Sequence, residues 1–283
     1  MRLIPQIAGR VHLAKAQEYW RADRLDLARR AMEAALREGV EPSDIYDLQR
    51  TIEAESAMRQ SAPRLRIGEH LALEAHPDRW RREWRWIHSA LEEAFQRVTG
   101  ALRVHWAKPV LVTLFPDPDW VDFLHARFGY YADRTEVHKV CLPPDTAIPR
   151  SRLVAACCHE MTHAAAHQAA GESLPRWLDE GLAVTLEGTG PRPPASARSL
   201  GRMRLEELSG HFEGYEMELD SRLADACYRQ AGELAALLIH ARGVEGILRL
   251  LRLLGEGTRF DRAFEQVYGM RLRVFELEWL RAA

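Results

Sequence analysis

The sequence predicts an α+β protein in which a small mixed β-sheet is preceded by an N-terminal helical hairpin and followed by a mainly helical domain. Runs that are typical of strands are confined to roughly residues 64–142. Before and after that segment, apolar residues recur three and four positions apart, as on one face of a helix. With 283 residues, 47% of them hydrophobic, the chain can bury a full core in one large domain or two modest ones.

The N-terminal region contains two predicted helical stretches between about Val11 and Arg59. Glycine and proline in Gly39–Pro42 separate them, because both residues interrupt helices. The spacing of small and large apolar residues resembles one tetratricopeptide-type (TPR-like) helical pair, although a plain hairpin explains it equally well. We therefore expect residues 1–62 to form a helical region, and the resemblance implies that it docks a protein partner or caps the domain that follows.

The predicted sheet begins after a linker at Ser61–Pro63. Arg64–Glu74 alternates like a strand, an amphipathic helix follows over Arg79–Val98, and Val110–Phe115 reads as a buried strand. Pro116–Phe128 is expected to hold a short helix, with Asp119 as its cap.

A last strand is predicted to follow a turn at Ala132–Thr135 and to stop at Pro143. Such a strand could be an exposed sheet edge, to which an extended peptide adds through backbone hydrogen bonds. We expect His138, within this strand, to face solvent and not to bind a metal.

The C-terminal half is predicted to be helical. Gly188–Gly201 is rich in Gly, Pro, Ser and Ala and reads as a loop that could act as a flap. Met203–Leu208 is expected to be a short helix at most. Four further helices, separated by glycines, are predicted at Leu223–Ala241, Val244–Leu254, Phe260–Val267 and Leu272–Arg281.

The segment Ser151–Gly188 contains the residues that indicate a metal site. Its His159-Glu160-Met-Thr-His163 is an HExxH zinc motif, since residues four apart share one helix face and can present two imidazoles to one ion. Ser151 is a possible cap of this helix and Gly171 its stop.

Glu180 is the predicted third metal ligand, because a catalytic zinc uses three protein ligands and leaves a fourth position for water. It lies on a second predicted helix, which Pro175 would begin and Gly188 would end. Glu187, two turns further on the same face, could accept a hydrogen bond from a ligand imidazole. Asp179 could do the same, or could be a solvated carboxylate.

These residues resemble the gluzincin zinc metallopeptidases. The HExxH motif is followed after a short gap by Glu180 within Trp177-Leu-Asp-Glu-Gly-Leu-Ala, and Tyr228–Leu234 and Phe264–Trp279 resemble the closing helices of compact bacterial peptidase-MA-like domains. The resemblance implies a zincin-type metallopeptidase domain over residues 63–283 that holds Zn²⁺ and hydrolyses peptide bonds. In that mechanism Glu160 is the general base.

Two alternatives for the metal ligands are weaker. Metzincins extend the motif to HExxHxxGxxH, whereas this chain has Ala166 and Ala169 at the two added positions. His167 lies one turn beyond His163, but three imidazoles along one helix spread too far for one tetrahedral ion.

Peptide hydrolysis also needs a hydrogen-bond donor to the oxyanion. Tyr228 is the predicted donor, because it lies in the segment that resembles the closing helices of the family. The alternative interpretation is that Tyr228 is a packed core tyrosine. His211 and His240 are weaker candidates.

Composition limits the partners and the compartment. A formal net charge of -2 gives no overall basic field for a nucleic acid or an anionic membrane. The first residues lack the apolar core of a secretory signal, so a cytoplasmic location is expected. Four cysteines without a CxxC spacing are expected to be reduced thiols.

Three functions fit these observations. Zinc-dependent peptide hydrolysis is the leading hypothesis. A binding module that keeps the peptidase fold and engages a protein partner through its N-terminal helices is the alternative, and hydrolysis of a non-peptide amide is the third.

Overall fold

A computed structural model describes residues 3–116, 130–143, 149–188, 201–213 and 220–282. The chain divides into two compact units, the first formed by residues 1–92 and 108–153 and the second by residues 93–107 and 154–283. The predicted short helix with Asp119 as cap and most of the predicted flap lie outside the described residues. The domain boundary at residues 62 and 63 stays a prediction.

The first unit begins with three helices, α1 (Leu3–Arg21), α2 (Leu25–Arg37) and α3 (Tyr46–Ser61). The sequence predicted one helical stretch up to Gly39, which is wrong because a tight turn separates α1 from α2. Asp23 in this turn takes a φ of 58°, and its carboxylate accepts a hydrogen bond from Arg59 of α3 at 2.6 Å. The TPR-like character of these helices stays a prediction.

A mixed five-stranded sheet completes the first unit and confirms the predicted fold class. In chain order, the strands are β1 (Arg64–Arg66), β2 (Leu71–Ala75), β3 (Val110–Leu114), β4 (Tyr130–Asp133) and β5 (His138–Leu142). Their order in the sheet is β1-β2-β3-β5-β4, with β2, β3 and β5 parallel and the outer pairs antiparallel. Every residue of β3 is buried, including the polar Thr113, which confirms the predicted buried strand.

The expectation of an exposed edge at β5 is wrong. This strand pairs on both sides, since Val140 lies opposite Val112 of β3 and Tyr131 of β4. His138 is only 1% exposed, and its Nδ1 lies 3.1 Å from the Tyr131 hydroxyl. Its predicted solvent-facing position is therefore also wrong, because β4 covers the side of β5 that the sequence left open.

A buried charge cluster joins the N-terminal helices to the sheet. Glu55 of α3 is fully buried; its Oε1 accepts a hydrogen bond from Arg134 at 2.6 Å and its Oε2 accepts one from Lys139 at 2.8 Å. Trp20 and Tyr130 also donate to Oε1. Burial raises the pKa of Glu55, but the two cations outweigh it and lower the pKa, so the carboxylate stays charged.

Helix α4 (Trp84–Leu102) begins in the first unit and ends in the second. The remaining helices are α5 (Arg150–Ala170), α6 (Arg176–Glu187), α7 (Leu205–Glu213), α8 (Ser221–Gly255), α9 (Phe260–Tyr268) and α10 (Leu272–Arg281). Non-helical backbone at Gly243 divides α8 where the sequence predicted two helices. Helix α7 is longer than the short helix predicted there. No helix within the described part of the chain is both long and apolar enough to cross a membrane.

The core of the second unit forms where α6 packs against α8. Gly181 lies at this crossing, and a Cβ atom on it would come within 2.3 Å of the carbonyl oxygen of Ala231. Gly232 faces Val184 in a similar way. Large apolar side chains fill the space around this contact, among them Trp177, Leu182, Leu234, Phe264 and Trp279. The absence of a side chain at Gly181 therefore sets how closely α6, which carries Glu180, approaches α8.

Candidate metal centre

Helices α5 and α6 form a tight two-helix unit. Helix α5 ends at Ala170, before Gly171 with a φ of +63°. Pro175 immediately precedes α6, and Gly188 ends it with a φ of +76°. These positions match the predicted helix ends, except that α5 begins at Arg150. Ser151 thus lies within the first turn and is not its cap.

The unit brings two imidazoles and one carboxylate together. The Nε2 atoms of His159 and His163 lie 3.4 Å and 3.7 Å from Oε2 of Glu180. One possible ligand atom from each of the three residues lies within 4.8 Å of the others. Two residues four apart on α5 thus face the same point as Glu180 of α6.

Acidic side chains hold the other nitrogen of each imidazole. Nδ1 of His159 lies 3.0 Å from Oε2 of Glu187, and Nδ1 of His163 lies 2.8 Å from Oδ1 of Asp179. Asp179 is 1% exposed, which contradicts the reading of this residue as a solvated carboxylate. Carboxylates in these positions fix the rings so that both Nε2 atoms point toward Glu180.

Glu180 is the residue that most clearly indicates a cation-binding site. Its Oε2 is buried and, within the described part of the chain, has no hydrogen-bond partner. Burying such an oxygen without a donor costs free energy. A cation between this oxygen and the two Nε2 atoms would remove that cost, and a donor set of two imidazoles and one carboxylate suits zinc. The residues present therefore fit the metal.

Without a metal, protons compensate for the charge of the acidic groups. Burial lowers the pKa of His163, but Asp179 and Glu180 outweigh it and raise the pKa to about 9. The pKa of His159 is also raised against the effect of burial, through Glu180 and Glu187. Burial raises the pKa of Glu180, but the two histidines outweigh this effect and lower the pKa. A metal at this point would displace protons from the imidazoles.

Glu160 and Tyr228 lie next to this cluster. Glu160 follows His159 on α5, is buried, and has a pKa raised mainly by that burial. Tyr228 of α8 is half-buried and packs edge-on against His159, with ring centres 6.2 Å apart, and against Phe212 of α7. Burial and the nearby Glu180 and Glu160 raise the pKa of Tyr228, so its hydroxyl keeps its proton.

The remaining histidines differ in their positions. His211 precedes Phe212 on α7. His240 lies twelve residues beyond Tyr228 on α8, about 18 Å along the helix, and lines a separate apolar cavity of about 370 Å³ with Phe264 and Trp279. Sequence reasoning missed the contact of His167, whose Nε2 lies 3.0 Å from Oδ2 of Asp179. The one-turn spacing of His167 from His163 was the available signal, because it places both imidazoles on the side of α5 that Asp179 contacts.

Comparison with known families points to the same segment. Residues 150–282 match the model of the Peptidase MA superfamily. No curated protein matches the chain. The matched residues extend from the first residue of α5 to the end of α10 and include the whole cluster described above. Residues 150–282 therefore form a domain of the peptidase MA superfamily, as the resemblance to gluzincins predicted.

Proposed function

We propose that this protein is a zinc-dependent metallopeptidase that hydrolyses peptide bonds in peptide or protein substrates. The buried Oε2 of Glu180 has no hydrogen-bond partner among the described residues and faces the Nε2 atoms of His159 and His163, and this observation carries the proposal. The match of this segment to the Peptidase MA superfamily supports it.

In this proposal His159, His163 and Glu180 hold the metal, while Glu187 and Asp179 orient the two imidazoles through their Nδ1 atoms. A zinc ion there would supply Lewis acidity, which lowers the pKa of water and polarises a peptide carbonyl. The two orienting carboxylates keep the imidazoles in the tautomer that leaves Nε2 free of a proton.

Glu160 is the proposed general base. Its buried carboxylate takes a proton from the attacking water and later delivers it to the leaving amine. The raised pKa of this group suits both steps, because a carboxyl group with a pKa nearer neutrality can hold the proton between them. Tyr228, whose hydroxyl keeps its proton, is proposed to donate a hydrogen bond to the oxyanion that develops on the attacked carbonyl.

The binding-module alternative is not favoured, because a protein that only binds has no use for Glu160 beside the proposed ligands. Docking of a protein partner on the N-terminal helices stays a prediction. Ile7 and Val11 of α1 are exposed apolar residues on which such a partner could be tested by substitution.

Metal content and peptide cleavage test the proposal together. We expect purified protein to contain about one zinc per chain and to cleave members of a peptide library. Glu160→Gln should retain zinc while kcat falls about 10²–10⁴-fold, since it removes the base and keeps the shape. The matched control is Glu256→Gln, which changes an exposed carboxylate at the end of α8 and should leave both quantities unchanged.

Two results would contradict the proposal in different ways. If the protein binds no zinc from a buffered solution, the proposed metal site is wrong. Full peptidase activity in zinc-loaded Glu160→Gln would agree with the metal site but would exclude Glu160 as the general base.

A further inference from the structure

Asp179 is shared between two histidines of α5. Its Oδ1 lies 2.8 Å from Nδ1 of His163, and its Oδ2 lies 3.0 Å from Nε2 of His167. The carboxylate is 1% exposed, whereas the side chain of His167 is 21% exposed and lies one turn further along the helix. Both oxygens of this buried group are therefore held, each by a different imidazole.

The contact with His167 fixes the plane of the Asp179 carboxylate. Rotation about the last bond of an aspartate side chain meets little intrinsic resistance, so a carboxylate held at one oxygen can turn. A second contact at Oδ2 prevents that rotation and keeps Oδ1 directed at His163. Arg176 cannot replace this contact, because its Nη1 is 3.7 Å from Oδ2, beyond hydrogen-bond distance, and its side chain is 50% exposed.

We propose that His167 is a positioning residue of the metal centre, which holds Asp179 and through it the imidazole of His163. The proposal rests on the zinc site proposed above. In it, His167 acts on the metal indirectly, because its Nε2 contacts the carboxylate of Asp179. Losing this contact lets His163 turn away from the orientation in which its Nε2 faces Glu180, and zinc is then held less tightly.

Zinc affinity, measured by competition with a fluorescent chelator, tests this role without relying on activity. His167→Ala should weaken zinc binding about 10–100-fold, which is typical when a group that orients a metal ligand is removed. His167→Gln should restore affinity to within about threefold of the unaltered protein, because a glutamine amide can donate an N–H at the position of Nε2. His105→Ala, which removes an exposed histidine of the same unit, is the control and should bind zinc normally.

A double-mutant cycle then tests whether the effect passes through Asp179. In an Asp179→Ala background, His167→Ala should cause no further loss of zinc affinity, since the group it positions is absent. If His167→Ala does not fold, His167→Asn replaces it; its amide is too short to reach Oδ2, and the same loss is expected.

Three outcomes would overturn the proposal. Zinc affinity of His167→Ala within twofold of the unaltered protein would show that the contact has no positioning effect. A loss above a thousandfold, together with a changed visible spectrum of the cobalt-substituted protein, would make His167 a direct ligand. Failure of the unaltered protein itself to bind zinc would remove the proposed metal site and the positioning role with it.

Discussion

Replacing Gly181 by alanine is expected to push α6 away from α8. The added Cβ would lie 2.3 Å from the carbonyl oxygen of Ala231 and 3.0 Å from the Cβ of Ala235. Ordinary contacts begin near 3.4 Å, so the backbone of one helix must move by about 1 Å. A carbonyl in the middle of α8 cannot rotate away as a flexible side chain could, because it accepts a helical hydrogen bond.

The expected cost follows from two opposing effects. Overpacking of this kind costs about 1–3 kcal/mol, while alanine gains up to about 1 kcal/mol over glycine inside a helix. A 2.3 Å contact with backbone places the overpacking cost in the upper part of its range, so the net loss is about 1–2 kcal/mol of unfolding free energy, or roughly 2–8 °C in Tm for a protein of this size. Glu180 directly precedes Gly181, so a displaced α6 also moves the proposed ligand away from both histidines, and zinc affinity should fall.

Calorimetry of the metal-free protein and chelator competition measure the two effects separately. The matched control is Gly210→Ala in α7, because no described residue lies within 4 Å of the Cβ position there. That variant should be stabilised by about 0.5–1 kcal/mol, the opposite sign, and should bind zinc normally. If Gly181→Ala is as stable and binds zinc as tightly as the unaltered protein, the close helix contact does not position the metal centre.

Three further measurements address the same site. Zinc affinity should rise steeply with pH up to about 9, the pKa of His163 in the metal-free protein, and calorimetric titrations should show protons released on binding. Because this pKa is raised above the unfolded value of about 6.5, the metal-free protein should lose stability as the pH rises from about 6.5 to about 9. A pH-independent zinc affinity would contradict the assignment of His163 as a ligand. Tyr228→Phe should lower kcat about 10²–10³-fold at unchanged zinc content, since it removes the hydroxyl but keeps the ring contacts; an unchanged kcat would assign the oxyanion donor elsewhere. Glu187→Gln should weaken zinc binding about 10–100-fold, and no weakening would mean that the ring of His159 does not depend on it.

The parts of the molecule that sequence reasoning predicted well are those with local causes. The ends of α6 follow from Pro175 and Gly188, and residues four apart on α5 must share a face whatever surrounds them. The approach of Glu180 to the two histidines follows from that two-helix geometry.

The missed features depend on residues far apart in the sequence or on unusual backbone. The α1–α2 turn contains neither glycine nor proline, and Asp23 takes its left-handed conformation with help from Arg59 of α3. The burial of His138 depends on β4, whose position in the sheet no local pattern reveals. The four-residue spacing of His163 and His167 shows that they share a face of α5. That both contact Asp179 can be predicted only when the position of the facing helix α6 is known.

The buried Glu55 limits where this chain can be shortened. Lys139 and Arg134 belong to the sheet segment, yet the carboxylate that neutralises both comes from α3. A fragment that starts at residue 63 would lose this counter-ion and would also uncover Phe115 and Cys141, which pack against α3 in the intact chain. We therefore expect the sheet to fold only together with the N-terminal helices, which makes them an internal part of its structure even if they also serve as a docking surface.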